Sequence, residues 1–200
     1  VQPGDVASLL DAGLLEGRAH PLGHGPTEQI SYLARQERLT FCRMGITDPL
    51  SLADYAAHDG WAGLLRALSL DGAAIVQEVL DAGLRGRGGA AFPAGIKWRT
   101  VLQAEAAQKY VVCNADEGDS GTFSDRMTME GDPYMLIEGM VIAGLAVGAT
   151  HGVVYIRSEY PHAIATMNEA IVRAGKAGFL GADVCRSGRA FTLEVRKAAG

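Results

Sequence analysis

The stretch Gly83–Trp98 reads GLRGRGGAAFPAGIKW, and it stands between two segments with helical periodicity. It contains five glycines, two arginines and a Phe-Pro pair. Because glycine weakens a helix or a strand, so dense a cluster indicates a loop whose backbone shape matters. Backbone amides that no side chain covers can approach a phosphate closely. We therefore interpret this glycine-rich stretch as part of a ligand site rather than as a tight connection between helices.

The segments around this stretch alternate between helical and strand patterns. The predicted helices span residues 71–80, 96–107, 132–147 and 161–174. The predicted strands are the short apolar runs Tyr110–Cys113, Gly152–Ile156 and Phe191–Val195. Buried runs of this length, separated by helices, are typical of a parallel sheet covered by helices. The sequence therefore predicts an α/β fold built on a Rossmann-like, doubly wound parallel sheet.

The residues that precede this fold have no steady hydrophobic period. The elements predicted there are a short helix near Val6–Leu15, a short strand at Leu39–Met44 and helices at residues 52–57 and 61–68. Ser51 followed by Asp54 forms a capping box for the first of the last two helices. We predict a boundary that separates residues 1–68, an irregular arm and linker from a preceding domain, from residues 69–200. The second part is predicted to be a ligand-binding α/β domain truncated at its C-terminus, in a fragment of a longer chain.

Composition excludes several classes of protein. The 200 residues are 48% hydrophobic, enough to build a core, and the net charge of −5 comes from interspersed charges of both signs. Without a basic stripe, nucleic acid is not an expected partner. Cys42, Cys113 and Cys185 are odd in number and far apart, so the sequence predicts small core residues in a reducing compartment, not a disulfide framework or a metal site.

Nothing in the chain predicts insertion into a membrane. The N-terminus has no charged region followed by an apolar run, so no signal peptide is visible. The most apolar segment, Met135–Ala149, is shorter than a membrane span of roughly 20 residues and carries Glu138. We interpret it as a buried helix and expect a cytoplasmic protein.

Two of the predicted helices begin at an N-cap residue. Asp71 or Ser69 can cap the helix that ends at residue 80, and Asp132, followed by Pro133, can cap the helix that ends at residue 147. At the end of this second helix, Gly144 and Gly148 are expected to let a sheet or a neighbouring helix approach closely.

Gly86, Gly88 and Ala91 satisfy the dinucleotide-binding pattern G-x-G-x-x-[G/A]. That pattern requires a strand before it and a helix after it, whereas the preceding segment, Ala73–Leu84, is helical in pattern. A plain Rossmann dehydrogenase therefore remains a rival hypothesis that needs a strand in this segment. A glycine loop after a helix can still surround a ligand of another kind.

A second dense stretch, Asn114–Arg126, reads NADEGDSGTFSDR and follows a predicted strand. In open α/β sheets, ligands bind at the carboxyl ends of the strands. Asp116, Glu117 and Asp119 do not have the alternate spacing of a calcium loop. Their carboxylates can instead accept hydrogen bonds from ribose hydroxyls or ring N–H groups, and Asn114 suits the polar edge of a flavin or a uracil-like ring. A solvated, capped loop is an equally good interpretation from spacing alone.

Two further side chains are candidates for ligand contact, and each also has an ordinary structural interpretation. Phe92 can stack on a planar ring or fill a gap in the core. Lys97, on the first turn after the glycines, can meet a phosphate or lie along the surface with its charge in water.

Together, GLRGRGGAAFPAGIKW and NADEGDSGTFSDR resemble one family, the flavin-bearing, NADH-binding subunits of respiratory complex I (its 51 kDa subunit), NAD-reducing hydrogenases and NAD-dependent formate dehydrogenases. The resemblance covers residues 39–200 and includes YAAHDGWAGLLRAL. The segment Leu39–Tyr55 is most similar to the formate dehydrogenase beta subunit.

The resemblance implies a site for flavin mononucleotide (FMN) and NAD(H), and no metal or catalytic side chain within residues 1–200. The FMN contacts that it implies are Gly86, Arg87, Gly88, Lys97, Asn114, Asp116 and Glu117. The NAD contacts that it implies are Gly89, Ala90, Phe92 and Asp119. Three residues depart from the common family pattern: Ala91 replaces a frequent Gly, Asp119 a frequent Glu and Ser120 a frequent Pro.

The resemblance also implies a reaction and partners. Hydride passes directly between nicotinamide and flavin, and electrons pass to iron–sulfur clusters, with a [4Fe-4S] cluster in a C-terminal part beyond residue 200. The expected partners are a small thioredoxin-like [2Fe-2S] subunit and a large molybdenum- and iron–sulfur-containing subunit. The implied activity is that of a diaphorase subunit, first in a formate dehydrogenase and alternatively in complex I or a hydrogenase. A non-catalytic assembly scaffold is the rival from another class.

Overall fold

The computed structural model describes residues 1–26 and 29–199. Packing of the Cα atoms divides the chain into two compact units, Val1–Cys42 and Arg43–Gly200. The short helices within residues 52–68 fall in the second unit. The domain boundary between residues 68 and 69 stays a prediction.

The first unit consists of short helical segments. Helix α1 (Val6–Asp11) is followed by a 3-10 turn at Leu14–Glu16, and α2 spans Ser31–Ala34. Gly13 has a φ of 77°, a left-handed conformation that ends the predicted helix at Val6–Leu15 before its last turn. Leu9 is the one buried hydrophobic side chain among the described residues of this unit.

The predicted strand at Leu39–Met44 is wrong. This segment forms turns, and the carbonyl of Arg43 accepts the amides of Ile46 and Thr47 at 3.0 and 3.1 Å. Backbone groups that are not taken up by a neighbouring strand need other partners, and here a local turn supplies them. A weak alternation over six residues does not reveal whether a partner strand exists.

The second unit contains a parallel sheet of three strands: β1 (Tyr110–Ala115), β2 (His151–Arg157) and β3 (Thr192–Ala198). Their order is β1-β2-β3, and both pairings are parallel. The predicted α/β class and the parallel sheet are confirmed, and each strand extends further at its C-terminal end than predicted. The described strands show no reversal of order, the feature that marks the switch point of a doubly wound sheet.

The helices of the second unit pack around one central helix, α8 (Pro133–Val147). The others are α3 (Leu52–Ala57), α4 (Ala62–Leu68), α5 (Gly72–Asp81), α6 (Ala94–Gln103), α7 (Ser124–Gly131) and α9 (Pro161–Lys176). Helix α8 contacts α4, α5, α6, α7 and α9 as well as β1 and β2. Eleven of its 15 residues are buried, as expected of a helix that is hydrophobic all round. No helix in the described part of the chain is long and apolar enough to cross a membrane.

The sheet has a buried face and an exposed face. Because side chains alternate across a strand, Cys113, Val154 and Leu193 share the face that packs in the core with the helices. Tyr110 and Val112 lie on the opposite face, where Val112 is 63% exposed. The described helices therefore cover one face of the sheet.

Two of the predicted helix caps form, one of them in part. Ser51 Oγ accepts the amide of Asp54 at 3.1 Å, and Asp71 Oδ1 accepts an amide in the first turn of α5 at 2.8 Å. The reciprocal half of the predicted capping box is missing, because Asp54 Oδ2 accepts the amide of Asp48 at 2.7 Å instead. Asp132, the predicted N-cap of α8, makes no side-chain cap. Its buried carboxylate accepts Arg43 Nε at 2.8 Å instead, so it binds a side chain 89 residues away rather than its own helix.

Cationic side chains close the C-terminal ends of several helices. Lys109 Nζ donates to the carbonyls of Leu102 in α6 and Val147 in α8, at 3.0 and 3.1 Å. Arg189 donates to the carbonyl of Leu68, the last residue of α4, at 2.5 Å and to that of Leu70 at 3.1 Å. Cations at these positions satisfy free carbonyls and favour the negative end of the helix dipole. Helix α6 ends at Gln103, four residues before its predicted end at residue 107.

A buried carboxylate on α8 fixes the start of α4. Glu138 is 8% exposed; its oxygens accept the hydroxyl of Tyr55 at 2.5 Å and the amides of Trp61 and Leu64 at 2.9 and 2.8 Å. Trp61 is the N-cap residue of α4, has a left-handed φ of 68° and provides no side-chain cap. Glu138 therefore supplies, from another helix, the cap that α4 lacks locally.

We predict that Glu138→Ala destabilises the chain by about 3 kcal/mol or more, because it leaves three donors without their acceptor in a buried place. Urea unfolding measures this free energy. The matched control is Glu169→Ala on α9, which removes an exposed pair with Arg173 at 2.7 Å and is expected to cost less than about 1 kcal/mol. Equal unfolding midpoints for the two variants would contradict the role of Glu138.

Two glycines of the α8 region have different roles. A Cβ at Gly144 would lie 2.4 Å from the ring of Phe191 and 3.1 Å from the carbonyl of Ala149, so this glycine permits the close approach that the sequence predicts. Gly148, for which the same role was predicted, has a φ of 76° and open space around it. It serves as the left-handed C-cap of the helix instead.

Substitutions of two glycines within α8 are expected to change stability in opposite directions. Gly144→Ala forces the methyl group into the buried ring of Phe191 and should cost about 1–3 kcal/mol. Gly139 is exposed, with open space around it, so Gly139→Ala should stabilise the helix by up to about 1 kcal/mol. Thermal unfolding of both variants provides the comparison, and a stabilising Gly144→Ala would refute the close contact.

Candidate functional site

The site lies where β1 ends. Asn114 and Ala115 are the last residues of this strand, and the acidic loop, residues 116–123, connects it to α7. The carboxyl end of a parallel strand is where α/β proteins place their ligands. The acidic loop and the glycine-rich stretch line the same cleft here.

Glu117 organises the acidic loop. Its carboxylate accepts the hydroxyl of Ser124 at 3.2 Å and the amides of Asp125 and Arg126 at 2.9 and 3.1 Å. These donors belong to the first turn of α7, whose N-cap residue Phe123 has a φ of 56° and provides no side-chain cap. Glu117 therefore caps α7 from a position seven residues before the helix, a role that the sequence did not predict.

The ionisation of Glu117 reflects these contacts. Partial burial would raise its pKa, but the hydrogen bonds from the two amides, together with the Tyr160 and Ser124 hydroxyls, outweigh burial and hold the pKa below 4.5. Burial and then the charge of Glu117 raise the pKa of nearby Asp125. The loop thus favours the charged form of Glu117, whereas the neighbouring Asp125 carboxyl ionises less readily.

Glu117 also has an unusual backbone. Its φ is 47°, a left-handed conformation that costs a residue with a side chain roughly 1–3 kcal/mol. Such a conformation persists when surrounding contacts fix it, and Arg157 Nη1 donates to the Glu117 carbonyl at 2.7 Å. The carboxylate and the carbonyl of this residue are therefore both held.

The glycine-rich stretch folds back on itself before α6. The amide of Gly86 donates to the carbonyl of Phe92 at 2.9 Å, and the amide of Ala94 donates to that of Leu84 at 2.8 Å. Between these bonds, Gly89 has a φ of 94° and a Cβ at position 88 would meet nothing within 4 Å. The result is a short loop whose tip offers bare backbone to its surroundings.

Two clefts border this loop. One, of about 630 Å³, is lined by Arg87, Gly88, Gly89, Asn114, Glu117, Gly118, Asp119, Thr122, Ser124 and Asp125. The other, of about 340 Å³, is lined by Gly86, Gly88, Ala90, Ala91, Phe92, Ala94, Lys97 and Trp98. Gly88 belongs to both clefts. The unit has a further cleft of about 610 Å³ on the exposed face of the sheet, away from these residues.

The clefts bring most of the predicted site residues together, in an arrangement that the sequence did not predict. The larger cleft combines predicted FMN contacts such as Arg87 and Asn114 with the predicted NAD contacts Gly89 and Asp119. Lys97, predicted with the FMN group, lies in the smaller cleft with Phe92. Asp116 lines neither cleft.

Sequence reasoning missed several residues of the site. Thr122, Ser124, Asp125 and Trp98 line the clefts. Helix α7, whose first three residues fall in the stretch Asn114–Arg126, is not predicted from the sequence. Its start carries no capping residue at the usual position, so no local signal marks it. The contribution of Arg157 depends on the register of β2 beside β1, which a sequence alone does not reveal.

The cysteines contribute no reactive group to the described site. The thiols of Cys42, Cys113 and Cys185 are free. Burial, and then the charge of Asp125, raises the pKa of Cys113 to about 11, so this thiol stays protonated near neutral pH. Cys42 is exposed, which corrects the prediction of a core residue. Within residues 1–26 and 29–199, no cluster of three or more His, Cys, Asp and Glu is placed to hold a metal ion.

Comparison with known proteins now assigns the fold to a family. Residues 79–200 match the family described as the Nuo51 FMN-binding domain, a match that covers more than half of the chain. The chain belongs to the Nuo51 FMN-binding domain family. The predicted resemblance to the complex I 51 kDa subunit is therefore confirmed, and so is FMN as the cofactor of the family.

Curated relatives of this Nuo51 domain come from hydrogenases and quinone oxidoreductases. NADP-reducing hydrogenase subunit HndC of Solidesulfovibrio fructosivorans is 48% identical over 166 residues, covering 83% of this chain and 34% of the relative. One subunit of the NADH-quinone oxidoreductase of Escherichia coli (strain K12) is 41% identical over 154 residues, covering 76% and 35%. NAD-reducing hydrogenase HoxS subunit alpha of Cupriavidus necator is 35% identical over 213 residues, covering 100% and 33%.

A solved structure agrees with these relatives. The NAD⁺-reducing [NiFe]-hydrogenase in the H₂-reduced state matches with a TM-score of 0.63 and 32% sequence identity, covering 100% of this chain and 32% of its own. The chain thus spans about a third of the length of the proteins that it matches.

The low pKa of Glu117 predicts how the acidic loop responds to pH. A carboxylate with a folded pKa below its unfolded value of 4.5 contributes stability above that value and loses it as the pH falls through the folded pKa. Glu117→Gln should therefore lower the Tm at neutral pH by about 2–4 °C, the effect of losing a helix cap in a chain of this size. The gap to the wild type should narrow below about pH 4.5.

Thermal unfolding monitored by circular dichroism across this pH range tests the prediction. Glu105→Gln removes an exposed carboxylate outside the loop and controls for the change in net charge. A Tm gap for Glu117→Gln that stays constant down to about pH 3.5 would show that the charge of Glu117 does not stabilise the loop.

Proposed function

We propose that the glycine-rich stretch and the acidic loop hold FMN and admit NAD(H) beside it, in a diaphorase subunit that exchanges hydride between them. The observation that carries this proposal is the pair of clefts that meet at Gly88, where a Cβ would contact nothing. Membership of an FMN-binding family supports the identity of the first ligand.

The donors and acceptors around the clefts fit FMN. The bare amides of the loop tip and the cations Arg87 and Lys97 suit a phosphate group. Asn114, at the end of β1, offers both a donor and an acceptor for the edge of a flavin ring. The proposed FMN contacts are Gly86, Arg87, Gly88, Lys97, Asn114, Asp116 and Glu117. Glu117 already accepts hydrogen bonds as the cap of α7, so a contact with FMN would be an additional role. Asp116 lines neither cleft, so its proposed contact with FMN requires a rearrangement that turns it toward one of them.

The proposed contacts for NAD(H) are Gly89, Ala90, Phe92 and Asp119. Phe92 is 52% exposed at the mouth of the smaller cleft, so its ring is free to stack on a planar ligand. Asp119 lines the larger cleft, where a carboxylate can accept hydrogen bonds from ribose hydroxyls. The two groups of contacts are close enough in the chain for one loop tip to serve both ligands.

The chemistry itself belongs to the cofactors: bound FMN supplies a hydride acceptor that can also give up single electrons. The residues of this chain orient the rings and exclude water from between them. The hydrogen-bonded Glu117 keeps the loop in one conformation during this exchange. No side chain of the chain forms a covalent bond in the proposed reaction.

The finer assignment is to an NAD-dependent formate dehydrogenase, in which formate and NAD⁺ yield carbon dioxide and NADH. It rests on the segment Leu39–Tyr55 alone. The alternative is the NADH-oxidising subunit of complex I or of a NAD-reducing hydrogenase, which the names of the relatives favour. We further propose a cytoplasmic assembly with a small thioredoxin-like [2Fe-2S] subunit, a large molybdenum- and iron–sulfur-containing subunit, and a [4Fe-4S] cluster beyond residue 200.

Neither rival explains the site as well. A plain Rossmann dehydrogenase needs a strand before its glycine turn, and α5 occupies that position. An assembly scaffold has no need for a loop tip with bare backbone between two clefts.

The decisive experiment uses the native protein together with any partner subunits. Bound FMN should be visible in the absorption spectrum and should bleach when NADH is added without oxygen. Gly88→Trp should abolish flavin binding, because its side chain fills the clefts while its Cβ meets no other atom. Gly175→Trp, on the exposed face of α9 and equally uncrowded, should bind FMN normally.

A colourless wild-type protein that takes up no added FMN would refute the proposal and favour the scaffold. Reduction of the bound flavin by formate, by hydrogen or by neither identifies the parent assembly. Full FMN binding by Gly88→Trp would move the site away from the glycine-rich stretch.

A further inference from the structure

Arg157 lies outside both clefts yet holds the loop that forms one of them. It is the last residue of β2, and its Nη1 donates to the carbonyl of Glu117 at 2.7 Å. Its Nε pairs with Glu159 Oε2 at 3.3 Å, and its guanidinium carbon lies 5.3 Å from the centre of the Tyr160 ring. The guanidinium is thus oriented by an anion and an aromatic face, with one N–H directed to the loop.

Tyr160 acts on the same loop residue from the start of α9. It is 8% exposed, and its hydroxyl helps to stabilise the charged carboxylate of Glu117. Arg126 lies over its ring from α7, 5.5 Å from the ring centre. The β2–α9 connection therefore holds the carbonyl of Glu117 through Arg157, and Tyr160 beside it helps to lower the pKa of the Glu117 carboxyl.

The held residue leads directly into the larger cleft. Gly118 and Asp119, which follow Glu117, both line it. Because φ of Glu117 is 47°, release of its carbonyl would let the backbone return to a common conformation and turn the next peptide units. Position 157 can therefore affect the shape of the cleft without contact with a ligand.

We propose that Arg157 is a positioning residue for FMN: it fixes the Glu117 carbonyl and so sets the geometry of the loop against the flavin. This inference rests on the proposed function and extends it to a residue outside the clefts. A looser loop would bind FMN more weakly and would interact differently with its oxidised and reduced forms. Both the affinity and the midpoint potential of the bound flavin should change.

A merely structural role is the competing explanation, and the chain offers a matched control for it. Arg189 also donates to two backbone carbonyls, those of Leu68 and Leu70, and lines neither cleft. Arg189→Gln removes a comparable set of hydrogen bonds at a distance from the loop. Its effect on Tm measures what loss of an arginine–carbonyl contact does to stability alone.

The test compares Arg157→Gln, Arg157→Lys and Arg189→Gln in the native protein with its partner subunits. Three quantities are measured: the Kd for FMN, from the fluorescence of released flavin; the midpoint potential of bound flavin, by spectroelectrochemical titration; and the Tm of the flavin-free protein. Arg157→Gln should weaken FMN binding at least tenfold and shift the potential. Arg157→Lys keeps the charge without the planar fork and should give an intermediate Kd. Arg189→Gln should lower the Tm and leave the other two quantities unchanged.

Each outcome distinguishes the hypotheses. If the wild type binds no FMN, the proposed function fails and this inference fails with it. If the wild type binds FMN and Arg157→Gln keeps the same Kd and potential, only the positioning role is overturned. The positioning role is also overturned if Arg157→Gln and Arg189→Gln both weaken FMN binding in proportion to their loss of Tm. Should Arg157→Gln fail to fold, Arg157→Lys decides the question, because a wild-type Kd and potential in that variant would also overturn the proposal.

Discussion

The carboxylate of Glu138 is the contact on which the second unit depends. It sits on α8, the helix around which the other helices pack, and it binds Tyr55 and two amides at the start of α4. A buried carboxylate is stabilising only when several donors satisfy it, and here one hydroxyl and two amides do so. The central helix and the segment that precedes the glycine-rich stretch are joined through this one side chain, so the position of the stretch depends on it.

The same arrangement recurs at the functional site. Helices α4 and α7 both begin after an aromatic residue in a left-handed conformation, Trp61 and Phe123, and neither has a local side-chain cap. In both cases a glutamate from elsewhere accepts the free amides, Glu138 for α4 and Glu117 for α7. The negative charge of Glu117 also interacts favourably with the positive end of the dipole of α7. The same kind of contact, a glutamate that caps a distant helix, therefore stabilises the core at α4 and the larger cleft at α7.

Caps supplied from distant positions explain which parts of the fold could be predicted from the sequence and which could not. Ser51 and Asp71 could be identified as caps because a cap and its amide lie three residues apart in the chain. Strands and the central helix could be predicted because apolar periodicity is also local. Helix α7 could not be predicted because its cap is Glu117, a residue that the sequence presents either as a cofactor contact or as part of a solvated, capped loop. The grouping of Lys97 with Phe92 and the contact from Arg157 depend on how distant elements pack, which no local pattern encodes.

Gly88 lies where the two clefts of the proposed site meet. Transfer of hydride requires two planar groups about 3–3.5 Å apart, which leaves no room for a side chain between them. Gly88 is the residue common to the two clefts. Glu117, which caps α7 and accepts Arg157 through its carbonyl, lines the larger of them. The proposed site therefore combines uncrowded backbone at Gly88 with an acidic loop held by hydrogen bonds. In the proposed site, the glycines let the ligands approach, while Glu117 and Arg157 hold the acidic loop that lines the larger cleft.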